Sequence, residues 1–177
     1  MRSSHLLGSL GHPLPVQAGK GYSFSVDLDP APRNTLYFGE RRAVASPIGA
    51  TTRIGGTMEL SGNNNRLDWR RVVAVAVALA GRHYLGRWFD DPDDLVSLIR
   101  DPWAGDRPFL PDRLPVIDRV PGHDNAFAAT GHGMLGVTLG PVTSRTLAEY
   151  VRTGHRPDVL LPFRFNRALW GGGSTSG

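Results

Sequence analysis

Apolar and polar residues alternate at Tyr22, Phe24, Val26 and Leu28. That two-residue period predicts a half-buried strand within residues 14–28. Gly19 and Gly21 flank Lys20 and allow a bulge or a close backbone approach. Shorter strands are predicted over residues 35–38 and 43–45, with turns at 30–32 and 47–50. A longer strand is predicted over residues 51–60 (TTRIGGTMEL), with a glycine pair in its middle. Strands joined by such short turns read as an antiparallel sheet.

The period then lengthens. Trp69, Val72, Val73 and Leu79 share one face of a helix that begins near Arg66, capped by Asn64 or Asn65. Its VVAVAVALA run is far too short to span a membrane and is bracketed by Arg70, Arg71 and Arg82. A second helix has Asp91 as N-cap, Pro92 in its first turn, Asp93 and Asp94 favouring the dipole, and Arg100 at its close. Residues 3–10 read as the end of a helix stopped by Gly11. Residues 103–119, broken by Pro108, Pro111 and Pro115, read as a rigid loop with a short strand near 114–117. Residues 125–130 read as a buried strand and 131–136 as a glycine turn. From about Gly133 a helix runs to Arg152 and stops at Gly154. An irregular tail, anchored by Phe163 and Phe165, leads to a flexible GGGSTSG end at 171–177.

Composition narrows the chemistry. The 177 residues contain no cysteine, which excludes a disulfide scaffold and any thiolate ligand or nucleophile. The net charge of +4 is carried almost wholly by arginine, Lys20 being the only lysine. The basic residues are scattered rather than clustered, so nucleic-acid binding is not expected. No targeting or transmembrane segment is evident. His123, His132 and His155 lack partners at metal-ligand spacing, and no metal site is expected.

The candidate chemistry lies in the glycine turn. GHGMLG (131–136) matches G-x-G-x-x-G, follows a strand and opens a helix, where free N–H groups and the helix dipole favour an anion or cofactor. Too little chain follows to build a βαβ unit, however. The acidic residue about 20 positions on, Asp158, precedes VLL instead of ending a strand. The residues alone leave both a cofactor site and a ligand-free tight turn open.

Four segments in order, LPVQAGKGYSFSV (14–26), TTRIGGTMELSG (51–62), WAGDRPFLPDRLPVID (103–118) and NAFAATGHGMLGVTLGPVTSRTLAE (125–149), resemble the C-terminal part of the D-amino acid oxidase-like family of FAD-dependent oxidoreductases. Bacterial D-amino acid dehydrogenases are the most similar members. The paired motifs G-x-R-P-x-x-P-D and A-T-G-H-G-x-x-G-x-T carry the specificity of the match, which covers almost the whole chain.

The resemblance implies an α+β fold. It would comprise an antiparallel substrate-domain sheet with helices, plus the last strand and helix of a Rossmann-like FAD domain. The division it implies is 1–13 as the tail of an FAD-domain helix, 14–103 as the substrate-binding domain, 104–170 as the C-terminal part of the FAD domain, and 171–177 as a flexible tail. The implied activity is oxidative deamination of a small amino acid or amine, with FAD as cofactor and hydride passing to the flavin. The flavin supplies most of that chemistry, and no catalytic side chain is assigned to this chain.

By position, Arg107 matches the arginine that holds the substrate carboxylate, a task suited to a planar two-pronged cation. The residues themselves also allow a surface ion pair of Arg107 with Asp106 or Asp112. His132, Gly133, Met134, Leu135, Gly136, Val137 and Thr138 match the segment that wraps the flavin. Arg53 matches only in its place along a strand and is not counted. The family's own dinucleotide turn and ribose-binding acid have no counterpart here. The chain is therefore expected to be a truncated C-terminal portion that binds FAD weakly alone, or a non-catalytic partner subunit needing a separate nucleotide-binding chain or a second copy of itself. A cytoplasmic location is implied, peripheral to the inner membrane if electrons pass to a quinone.

Overall fold

The computed structural model describes residues 2–64, 66–80, 84–86, 88–89 and 91–167. The expected Asn65 cap, the flanking Arg82 and the 171–177 tail lie outside them. The chain forms two compact units, one running from Lys20 to Asp106 and the other joining the residues up to Gly19 to those from Arg107 on.

The central unit is built on an antiparallel sheet. Its strands are β1 (Gln17–Val26), β2 (Leu36–Phe38), β3 (Ala43–Ile48), β4 (Thr51–Glu59) and β5 (Arg100–Phe109), in the order β2-β3-β4-β1-β5. Helices α2 (Trp69–Leu79) and α3 (Pro92–Ser97) complete it. Tyr22, Phe24, Val26, Ala45 and Ile54 form one core with Val72, Val75, Ala76, Leu79 and Leu95 of the helices. Gly56 has a packing reason to be glycine, because an added Cβ would lie 3.3 Å from Ala43 Cβ and 3.4 Å from Val75 Cγ1. Beside that core, Arg53 donates to the hydroxyls of Ser23 and Ser25 and to the Asp101 carbonyl.

The second unit contains α1 (Arg2–Ser9), the hairpin of β6 (Val116–Arg119) and β7 (Phe127–Thr130), and α4 (Gly136–Thr153). Single 3₁₀ turns precede and follow α4 at Gly133–Leu135 and Asp158–Phe163. Leu7 of α1 covers one face of the hairpin with Leu14, Leu110 and Phe165. Leu147 and Tyr150 of α4 cover the other face with Leu160 and Phe163. The Asp118 carboxylate, only 2% exposed, accepts from Arg156 Nη2 at 2.7 Å and Nε at 3.0 Å, and from the Arg119 and Phe165 N–H groups at 2.8 and 3.0 Å. It ties β6 to the segments beyond α4.

Several elements differ from the sequence reading. β1 is buried on both faces, because Lys20 and Ser25 are enclosed as well as the aromatic row. Lys20, only 2% exposed, donates to Asn64 and to the Arg66 carbonyl. With Asn64 so engaged, Asp68 caps α2 instead, and the helix starts three residues later than expected. The buried stripe of α2 is Val72, Val75, Ala76 and Leu79, which leaves Trp69 exposed. β3 continues through Pro47 and Ile48, so only Gly49 and Ala50 turn. α3 ends at Ser97, and Arg100 starts a strand. Part of the expected proline loop is extended in β5, which carries Pro102 and Pro108. An edge strand tolerates a residue without an N–H because one side has no ladder to complete. The next strand, β6, sits two residues beyond its expected place. α4 opens at Gly136, after the 3₁₀ turn, and the tail holds a 3₁₀ turn where irregular chain was expected.

Replacing Asp118 with Ala leaves Arg156 and two N–H groups without their acceptor. The substitution is expected to lower stability by about 2–3 kcal/mol, discounted because Arg156 reaches solvent. Chemical denaturation followed by circular dichroism measures it. A loss below about 1 kcal/mol would put the pair among ordinary surface contacts.

Candidate functional site

The end of β5 and the glycine turn are locked together. Phe109 forms an isolated antiparallel bridge with His132. Gly131 has φ +84°, and an added Cβ would lie 2.7 Å from Leu110 Cδ1. Gly133 has φ +55°, with the corresponding Cβ 2.7 Å from Phe109 Cε1. Both positions thus require glycine twice over, for their backbone angle and for the apolar side chain against them.

Gly136 and Gly140 are different. Both are helical and one turn apart, and Gly136 has φ −56°. An added Cβ at Gly136 would meet only His132 Cβ, at 3.8 Å, and at Gly140 nothing within 4 Å. Nothing among the described residues accounts for the missing side chains, so they leave an open cradle at the start of α4.

That helix start is also uncapped. Leu135 occupies the N-cap position without a side-chain hydrogen bond, so no side chain covers the positive end of the dipole there. The five residues from Met134 to Thr138 are exposed in succession, including Met134 at 67% and Val137 at 94%. Apolar side chains, bare glycines and an uncapped helix start together suit a flat, partly apolar, electron-rich ring system such as a flavin.

His132 Nε2 lies 3.2 Å from Thr143 Oγ1, bracing the turn against the second turn of α4. Burial of the imidazole holds its pKa below the ordinary histidine value. The imidazole of this predicted cofactor residue is therefore committed internally.

Arg107 lies two residues before Phe109 on β5, and strand alternation puts both on the same face. Partial burial lowers its pKa from the usual arginine value, although a guanidinium stays charged at neutral pH. It forms no hydrogen bond or ion pair with the other described residues. Of its two suggested partners, Asp112 is engaged by Arg167, whose Nε donates at 2.6 Å and Nη2 at 3.3 Å. Burial pushes the Asp112 pKa up, but the Arg167 hydrogen bond and charge together with backbone N–H donors, that of Leu114 among them, outweigh it and the carboxyl is held low. The structure therefore brings the Arg107 strand and the run His132–Thr138 into one unit through Phe109. Phe109, Leu110 and Thr143 were not found from sequence. Phe109 and Leu110 sit within the RPFLP run, and nothing in their spacing marks contact with the glycines.

Two substitutions separate the two kinds of glycine. Gly133→Ala forces a left-handed angle and displaces Phe109, with an expected cost of about 1–3 kcal/mol. Gly136→Ala meets open space in a helix and is expected to stabilise the free chain by about 0.5–1 kcal/mol. Thermal or denaturant unfolding measures both, and equal losses would remove the distinction. The lowered His132 pKa also sets a pH dependence. Its contribution is complete above its unfolded value near 6.5 and is lost as pH falls from there toward the folded value, because the unfolded chain binds the proton first. His132→Gln should flatten that part of the stability–pH curve, and an unchanged slope would assign the effect elsewhere.

Among the described residues, no helix is long and apolar enough to cross a membrane. Comparison with known proteins agrees on one family. The model for FAD dependent oxidoreductases matches residues 2–150. The chain is 36% identical over 157 residues to a D-amino acid dehydrogenase of Xanthobacter autotrophicus, a match covering 87% of this chain and 35% of the relative. It is 29% identical over 171 residues to a D-amino-acid oxidase of Bradyrhizobium diazoefficiens, covering 95% of this chain and 39% of that protein. The chain thus spans little more than a third of the length of these relatives. Its fold matches glycine oxidase from Geobacillus kaustophilus with a TM-score of 0.75 at 23% identity, over 94% of this chain and 43% of the other. The chain belongs to the FAD dependent oxidoreductase family.

Proposed function

We propose that the chain supplies the substrate sheet and the flavin-facing helix start of an amino acid dehydrogenase or oxidase, as its C-terminal portion. The observation that carries this reading is Arg107, a partly buried cation with no counterion among the described residues, on the strand that pins the glycine turn. In this reading Arg107 takes the carboxylate of a small amino acid through two parallel hydrogen bonds. The N–H groups at the start of α4 face the electron-rich edge of the cofactor, and Gly136 lets the backbone approach it. His132 to Thr138 line that edge, His132 through its backbone while its ring holds Thr143.

The bound flavin supplies the electron acceptor for oxidation of the amine. The chain's own residues orient the carboxylate, shield one side of the ring with Met134, Leu135 and Val137, and bias the site toward negative charge. In this reading β7 and α4 are the last strand and helix of a Rossmann-like domain, and residues 14–103 are the substrate domain. The small share of its relatives that the chain spans favours a second reading, in which another polypeptide must complete the flavin site before any activity is seen.

A visible absorption spectrum, recorded after adding FAD and removing the free cofactor, tests the proposal. Weak or absent retention by the folded chain alone, with retention restored by a complementing nucleotide-binding portion, is the expected result. In the complemented protein, Arg107→Lys should raise KM for an amino acid substrate at least about tenfold with a smaller change in kcat, since one point charge replaces a two-pronged contact. A complemented protein that holds no flavin, or an Arg107→Lys variant with unchanged KM, would overturn the reading.

A further inference from the structure

A cavity of about 380 Å³ lies in the central unit where β4 leads toward α2, and its size suits a small molecule. Lys20 of β1 and Glu59 of β4 both line it, and they stand opposite each other in the strand register. Opposite charges so placed usually stabilise a sheet by pairing. Here they form no ion pair. The Lys20 ammonium, 2% exposed, donates instead to Asn64 Oδ1 and, at 3.2 Å, to the Arg66 carbonyl. Two acceptors leave one of its three donors without a partner among the described residues.

Glu59 is held away from the lysine in the same manner. Its carboxylate accepts from the Tyr22 hydroxyl at 2.5 Å. The Ser61 and Tyr22 hydroxyls together keep its pKa below the usual carboxylate range. Burial raises the Tyr22 pKa, so the phenol stays protonated and donates. Arg71 Nε comes no nearer to Glu59 than 3.9 Å, beyond hydrogen-bond length. The carboxylate therefore keeps free acceptor positions. Asn64, bound by Lys20, donates in turn to Ser61 Oγ at 3.2 Å. One polar chain thus fixes the cation and the carboxylate apart, both on the cavity wall.

The remaining charges divide unevenly. Asp68 and Arg70 close on each other at 3.1 Å, and Asp68 also caps α2. The Arg66 guanidinium has no partner among the described residues. Leu67 and Trp69, 40% and 46% exposed, add an apolar wall. An inorganic anion in this cavity would face Glu59, and a simple cation would face Lys20. A molecule carrying both charges satisfies the two walls at once.

We propose that this cavity binds a free α-amino acid. Lys20 and Arg66 take its carboxylate, Glu59 takes its ammonium, and Leu67 and Trp69 take an apolar side chain. Cross-strand neighbours lie about 5 Å apart at Cβ, which suits two charges borne on one carbon better than charges at the ends of a long chain. None of these residues belongs to the site proposed above. The cavity is thus a separate amino acid site on this chain, and it stands without the flavin reading.

The test titrates the full, isotopically labelled chain with leucine while NMR follows the Trp69 indole N–H and the amides of Ser61 and Arg66. Saturable shifts at those signals are expected. Isocaproate lacks only the ammonium and isoamylamine only the carboxylate, and each should bind at least about tenfold more weakly than leucine. Glu59→Gln keeps the shape of the side chain and an acceptor for Tyr22. It should weaken leucine at least about tenfold and leave isocaproate unchanged. Arg66→Gln, at an exposed position, should weaken both. Arg107→Lys should leave all three signals and their midpoints as they are.

Absence of saturable shifts at these signals would overturn the proposal. Isocaproate or inorganic phosphate binding as well as leucine would make the cavity a general anion site and overturn it equally. Isoamylamine matching leucine would do the same in favour of a cation site. Shifts that vanish in Arg107→Lys would assign the binding to the site proposed above. Leucine binding undiminished in both Glu59→Gln and Arg66→Gln counts against it as well. The half-ligand comparison uses the unaltered chain, so it decides even where a variant fails to fold.

Discussion

The close approach of two apolar side chains to two glycines governs the geometry of the unit that carries the glycine turn and α4. Leu110 and Phe109 occupy the space where Gly131 and Gly133 would carry a Cβ, and both glycines are left-handed. The chain can leave β7, turn and enter α4 within so few residues only in that conformation. The same contact anchors the end of β5. Because strand residues alternate, anchoring Phe109 also determines the side on which Arg107 lies. One steric constraint therefore sets both the placement of the Arg107 cation and the helix start.

What was legible in the sequence was whatever depends on near neighbours. The Asp91 cap with Pro92, the Gly154 stop, the alternation from Tyr22 to Leu28 and the strand ending at Thr130 all express local rules. Elements whose form depends on distant partners were not legible. β5 looked like a loop because its prolines are tolerable only at a sheet edge, and edge position is a tertiary fact. The α2 cap was misplaced because Asn64 is drawn to a buried lysine 44 residues earlier. At the candidate site the contiguous run His132–Thr138 stood out through its glycines. Phe109, Leu110 and Thr143 did not, since their contacts arise only once β5 and α4 are placed.

The start of α4 breaks several rules of local stability at once. It lacks a capping side chain, carries glycine at its first position and one turn further in, and leaves Met134, Leu135 and Val137 in solvent. Glycine in a helix costs about 1 kcal/mol relative to alanine, and an uncapped start costs a similar amount. Pro141 adds another defect, because it has no N–H to return to the Val137 carbonyl. At Gly56 and Asp118, by contrast, the unusual choice has a contact that accounts for it. Local inconsistencies without compensation, gathered in one turn, are the physical signature of a surface shaped for something other than its own fold.

The helix that bears this surface is nevertheless held at both ends. Near its start, His132 braces Thr143 and the glycines grip residues 109 and 110. At its end, the Gly154 carbonyl accepts from Arg119 Nη2 at 3.1 Å, and Arg156 is fixed on Asp118. Tyr150 in the last turn lies beneath both arginines, with guanidinium-to-ring distances of 5.4 and 5.8 Å. A helix clamped at both ends cannot swing its dipole to follow a ligand. Its dipole therefore keeps one direction, and the uncapped start stays where the glycine turn puts it. That explains how the chain tolerates an unfavourable helix start: the cost falls on one turn, while the buried Asp118 pair and the aromatic packing beneath it hold the rest of α4 in place.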